Sequence, residues 1–150
     1  MSLKGRALRY LSAREHSRVE LVRKLAPHAE DRDEIDRVLD ELESRGCLSA
    51  ERFVESVVHR KAARFGAARI RGELNAHQLP DGAVKAAVSA LKETELARAQ
   101  ALWLRRYGHV AETLQEQAKQ MRFLAGRGFS GEVICCVVRG NFASDGNDEA

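Results

Sequence analysis

Apolar residues recur along this chain at steps of three and four, the spacing that puts them on one face of a helix. Leu3, Ala7, Leu8 and Leu11 mark a first helix, and Ser17 with Glu20, at capping-box spacing, opens a second. After Pro27 an acidic turn, Asp31 to Glu34, leads into Ile35, Val38, Leu39 and Leu42, with Gly46 as the C-terminal cap of this third helix. Ser49 opens a fourth, carrying Phe53, Val54, Val57 and Val58, and Gly66 breaks it. Ile70 and Leu74 lie on a fifth, and Pro80, at a first-turn position, starts a sixth with Val84, Val88 and Leu91. Leu96, Ala99, Trp103 and Tyr107 predict a seventh, Leu114, Ala118, Met121 and Leu124 an eighth, and Val133, Ile134, Val137 and Val138 a ninth that begins after Ser130.

The anchors repeat. A shift of 49 carries Leu25, Ile35, Leu39 and Leu42 onto Leu74, Val84, Val88 and Leu91, and a further 50 carries Leu74, Leu79, Val84 and Val88 onto Leu124, Phe129, Ile134 and Val138. The pattern predicts an all-α fold of three tandem three-helix, helix-turn-helix-like repeats, over residues 1–48, 49–92 and 93–139, with a disordered polar tail at 140–150. Units this small bury little alone, so they are expected to stack into an elongated, curved array and to leave a monomer.

Composition sharpens this picture. Hydrophobic residues make up 44% of the 150, enough for a core, while aromatics are 5% and Pro occurs twice, a helix former's balance with few β-branched runs. No apolar run approaches a bilayer span and the first residues lack a signal-type segment, so the expected address is the cytoplasm, away from membranes. Cys47, Cys135 and Cys136 fit neither a disulfide framework nor a metal spacing and are expected to be small core residues. The five His are scattered, with no His-Glu-x-x-His, phosphate loop or nucleophile motif, so the sequence predicts no enzyme, no cofactor and no metal.

The net charge of +3 hides segregation. Residues 1–25 hold seven Lys/Arg against two Asp/Glu, residues 26–51 three against nine, and residues 52–72 six against one. Such blocks suit an anionic partner or a protein surface of mixed charge. The densest basic group, Arg52, Arg60, Lys61, Arg64, Arg69 and Arg71, surrounds the Gly66 turn, with Arg60 and Arg64 on one helix face and able to fork onto carboxylates or phosphates. The bland alternative pairs this group with the acids of the third helix, Asp33, Asp36, Asp40 and Glu43. Arg6, Arg9, Arg14 and Arg18 form a second basic strip. Phe53, Phe65, Trp103, Phe123 and Phe129 sit at helical spacing and are read mostly as core.

Several segments taken together resemble one family. Ala7 to Leu21 resembles the opening of the RecX family, bacterial regulators of the RecA recombinase. Leu39 to Leu48 is similar to its "L-x-x-L-x-x-x-G-x-L" passage, Glu51-Arg52-Phe53 to its "E-R-F" element, and Arg64-Phe65-Gly66 with Arg69-Ile70-Arg71 to its basic turn. Arg127-Gly128-Phe129-Ser130 resembles its closing "R-G-F-S" motif; Ala67 and Gly131 stand where the family often has Pro and an aromatic residue. The resemblance spans residues 7–139 and implies three helical repeats. It further implies binding to the RecA filament on single-stranded DNA, restraint of strand exchange, ATP hydrolysis and co-protease activity, and so a part in recombination, DNA repair and the SOS response. Arg14, Arg18, Arg52, Arg60, Lys61, Arg64, Arg69, Arg71 and Arg127 are the expected partner-binding residues. A direct, largely nonspecific DNA-binding protein is the alternative, since basic blocks also neutralise phosphates. Against sequence-specific readout, no helix combines an Asn/Gln set with Arg in the way base-edge recognition usually needs.

Overall fold

A computed structural model describes residues 1–140, and the expected tail from 141 onward lies outside the described residues. The described residues form nine α-helices and no strand: α1 (Leu3–Ala13), α2 (Arg18–Leu25), α3 (Arg32–Ser44), α4 (Ala50–Lys61), α5 (Ala67–Asn75), α6 (Asp81–Glu93), α7 (Glu95–Arg106), α8 (Leu114–Gly126) and α9 (Gly131–Val138), with a single 3-10 turn at Ala26–His28. The class is the all-α one that the periodicity predicts.

Local chemistry sets the boundaries. The Ser17 hydroxyl accepts from Glu20 N and the Glu20 carboxylate accepts from Ser17 N, a complete capping box. Ser2, Asp31, Thr113 and Ser130 cap α1, α3, α8 and α9 in the same way with one side-chain acceptor. Gly46, at φ 77°, closes α3, with Cys47 N donating to Leu42 O at 2.9 Å and Gly46 N to Glu43 O at 3.0 Å, a paired arrangement that only a left-handed residue permits. Pro80 stands one residue before α6, where its carbonyl accepts from Val84 N at 3.3 Å, so it caps the helix instead of sitting inside its first turn.

Two compact units arise from these helices. The first comprises Met1–Val57 with Leu74–Val84, and the second Val58–Glu73 with the described residues from Lys85 to Gly140. In the first, Leu3, Ala7, Leu21, Leu25, Ile35, Leu39, Leu42 and Leu48 form one apolar cluster, Cys47 resting half-buried against it. In the second, Ala99, Leu102, Trp103, Leu124, Phe129, Ile134, Val137 and Val138 form another, where the indole N–H of Trp103 donates to the buried Gln120 Oε1 at 2.9 Å.

Some placements differ from the spacing. Leu114 is 84% exposed because it is the first residue of α8, ahead of the face that packs. Cys135 and Cys136 are half-buried and not fully in the core, since neighbours on a helix point about 100° apart and Ile134, Val137 and Val138 occupy the inner face. Phe53, Trp103 and Phe129 are buried as expected, whereas Phe65 and Phe123 are only half-buried.

In the first unit His16 is 2% exposed, its Nδ1 3.0 Å from Arg14 O and its Nε2 3.1 Å from Lys24 Nζ. A carbonyl only accepts, so Nδ1 carries the proton and Nε2 accepts from the ammonium. Burial pushes the pKa of His16 below its ordinary 6.5, helped by the charges of Arg14 and Lys24 and opposed by the Arg14 carbonyl and Glu20. The folded protein thus favours neutral imidazole, so the stability from this site is complete above pH 6.5 and is lost as pH falls below it toward the lower folded value. Melting temperatures at pH 7.5 and pH 5 are expected to show this loss, with a slope of at most about 1.4 kcal/mol per pH unit. His16→Gln, which cannot titrate, flattens that part of the profile.

Candidate interaction surface

Of the nine basic residues singled out from the sequence, three lie in the first unit and are bound to carboxylates. Arg14 Nη2 meets Glu20 Oε2 at 2.6 Å. Burial of Glu20 opposes its ionisation, but bonds from Arg14 and Ser17 outweigh that and hold its carboxyl at about 2. Arg18 fans across α3, to Asp40 at 2.8 Å, Glu43 at 3.0 Å and Asp36 at 3.5 Å; burial disfavours its charge, and these carboxylates more than compensate, raising its pKa. Arg52 Nε reaches Glu15 Oε1 at 2.8 Å, and its Nη2 donates to the carbonyls of Gly46 and Cys47. Asp36, Asp40, Glu41 and Glu43 of α3 are thus answered by Arg18, by Lys4, and by Arg32 and Arg45 at i, i+4.

The other six lie in the second unit, and four converge on one ring. Arg69 lies 4.2 Å from the Phe65 centroid, Lys61 5.2 Å, and Arg64 and Arg127 5.3 Å each. Arg127 also lies 5.1 Å from the Phe123 centroid and Arg106 5.2 Å from it, while Tyr107 meets Phe123 edge-on at 5.7 Å. Lys61 pairs with Glu73 at 3.6 Å. Among the described residues Arg64, Arg69, Arg106 and Arg127 form no ion pair. Arg60 and Arg71 are exposed on α4 and α5 and are not among the cations over the ring.

Two turns meet to make this surface. Gly66 N donates to Arg127 O at 2.8 Å, and Arg69 Nη1 donates to Gly126 O at 2.9 Å. A Cβ on Gly66 would sit 2.3 Å from Gly128 O, and one on Gly128, whose φ is +89°, would sit 2.4 Å from Arg69 Cβ. Glycine is therefore required at both contacts. Behind the turns, Glu95, 5% exposed at the start of α7, accepts from Ala67 N with Oε1 at 2.7 Å and from Ser130 N with Oε2 at 3.2 Å. Arg98, one turn further on, donates to the carbonyls of Ala62, Phe65 and Leu91 at 2.7 Å each. Burial pulls the pKa of Arg98 down, against the attraction of Glu95.

Sequence reasoning did not reach Glu95, Arg98, Arg106 or the part played by the two rings. Among the described residues no group of His, Cys, Asp and Glu could hold a metal ion, and no helix is long and apolar enough to cross a membrane.

Residues 4–42 match the model of the RecX first three-helix domain and residues 93–138 that of the RecX third three-helix domain. The regulatory protein RecX of Leptothrix cholodnii is 57% identical over 93% of this chain and 88% of its own length, and that of Ralstonia nicotianae 52% identical over the same shares. The crystal structure of RecX from Lactobacillus salivarius, at 21% identity, shares the fold with a TM-score of 0.77 over 94% of this chain and 95% of that one. Helix order and relatives together define an all-α protein of three-helix domains, of the kind named as regulatory proteins. This chain belongs to the RecX family.

Proposed function

We propose that this chain binds the RecA filament on single-stranded DNA and restrains its recombinase, ATPase and co-protease activities, acting in the cytoplasm as a monomer built of three modules. The name its relatives carry supports the partner class. The observation that carries the site is the convergence of Lys61, Arg64, Arg69 and Arg127 on Phe65. Guanidinium groups laid against a ring present N–H edges to a carboxylate or phosphate. Arg69 and Arg127 each commit one Nη to a backbone carbonyl, which holds them in place and leaves the rest of the fork to a partner. Arg60 and Arg71 extend the same basic character along α4 and α5. Arg14, Arg18 and Arg52 are engaged with carboxylates and would need to exchange partners to join in.

A second reading, direct contact with nucleic acid, is favoured by the same guanidinium groups, which suit phosphates as well as carboxylates. The rings argue against base stacking, because cations already crowd the face that a base would need. Titration into the ATPase reaction of the cognate recombinase on single-stranded DNA tests the proposal. The expected result is a saturable fall in hydrolysis with weak binding to bare DNA under the same salt. An unchanged rate at low salt would overturn it, and equally tight binding to bare DNA would favour the second reading.

A further inference from the structure

We propose that Glu95 is a positioning residue for the basic surface, holding the α4–α5 turn and the α8–α9 turn in the one register that brings Arg64, Arg69 and Arg127 to Phe65. This inference rests on the reading of that surface as the partner contact. The cations come from two chain segments some sixty residues apart, for Arg127 Nη1 itself reaches Arg64 O at 3.4 Å across a separation of 63. Something must fix one turn against the other. The backbone supplies a single bond, Gly66 N to Arg127 O.

Arg69 and Arg127 each add one bond to a carbonyl of the opposite turn, and Glu95 adds the two that are made from behind. One oxygen is bound at the first residue of α5 and the other at the cap residue of α9, so a single buried carboxylate terminates two helices, one on each turn. Helix starts carry unsatisfied N–H groups and the positive end of the dipole, which is why a charged acceptor is tolerated there at 5% exposure. Arg98 complements it on the same helix. Its guanidinium takes the Ala62 and Phe65 carbonyls, at the far side of the first turn, so α7 holds that turn by its donors and by its acceptors. Among the described residues Glu95 forms no ion pair with a cation of the surface, and it acts through the backbone on which those cations stand.

Glu95→Gln keeps the shape but replaces one acceptor with an NH2 donor that faces an N–H. The experiment pairs amide hydrogen exchange with ATPase inhibition, in the full chain. In the parent, the amides of Ala67 and Ser130 are expected to exchange at least tenfold more slowly than an exposed first-turn amide such as that of Glu51. In Glu95→Gln, exchange at Gly66, Ala67 and Ser130 rises at least tenfold while helical content is kept, and inhibition weakens at least tenfold. Val137→Ala, chosen for a similar loss of melting temperature within the same unit, keeps inhibition close to the parent's, which separates positioning from general destabilisation. Fast exchange at Ala67 and Ser130 in the parent overturns the inference without any variant having to fold. Loosened turns with full inhibition, or equal loss of inhibition in Val137→Ala, also overturn it. If the charge reversal Arg64→Glu with Arg69→Glu inhibits like the parent, the basic-surface reading itself fails and the inference falls with it, whatever the exchange shows.

Discussion

Gly128→Ala is expected to lower the folding stability of the protein by about 2–5 kcal/mol, from two separate physical causes. The residue sits at φ +89°, as the left-handed closure of α8, where Gly128 N donates to Ala125 O and Phe129 N to Leu124 O. A side chain in that region costs about 1–2 kcal/mol by itself. The added Cβ would also lie 2.4 Å from Arg69 Cβ and 2.9 Å from Arg69 N, and the latter is backbone of α5 that cannot swing aside as a side-chain tip could. Overpacking of this type costs about 1–3 kcal/mol. Gly46→Ala provides the comparison, since its φ of +77° has the same conformational cost but nothing lies within 4 Å of the added atom. Urea midpoints at constant slope should separate the two, with Gly128→Ala the larger. Equal midpoints would mean that the two turns yield without resistance.

The double charge reversal Arg64→Glu with Arg69→Glu should weaken recombinase inhibition by at least a hundredfold. Each reversal replaces an attraction at the surface by a like-charge contact worth several kcal/mol, and each 1.4 kcal/mol is about tenfold in affinity. The two positions are not equivalent structurally. Arg64 is exposed and its guanidinium only caps the Phe65 ring, whereas Arg69 lies closest to that ring and donates to Gly126 O. Loss of that hydrogen bond costs about 1 kcal/mol, so a small fall in melting temperature accompanies the double variant while helical content is kept. Inhibition close to the parent's would identify the basic turn as a solvated face. A salt series on bare DNA completes the test, since steep salt dependence belongs to a protein whose work is phosphate neutralisation.

Features written in neighbouring residues were legible in the sequence. Ser17 with Glu20, Gly46 after Arg45, and Ser130 before Val133 each act within a few positions, and each is where the pattern predicts it. The basic character of the Gly66 turn was legible for the same reason. Glu95 was not. By sequence it is one more acid at a helix start, yet its partners are 28 and 35 residues away, and only the meeting of two turns makes them neighbours. Arg127 and Arg64 likewise become one surface through a separation that no periodicity encodes. The reverse error occurs at Leu114, which keeps helical spacing but precedes the packed face.

The seating of the cations on Phe65 and Phe123 also bears on the thermodynamics of encounter. A free arginine at a surface samples many rotamers, and fixing one on association costs about 0.5–1.5 kcal/mol. Here rings already seat Arg64, Arg69, Arg127 and Arg106, so on the proposed reading of this surface association would surrender less side-chain freedom and its heat would be less offset by lost entropy. Lysine in place of Arg64, Arg69 or Arg127 would keep the charge but not the flat, edge-donating geometry that lies against a ring. On that reading the aromatic rings would serve as an entropic scaffold, and the surface they support would meet a partner as a template of fixed charge more than as a flexible brush.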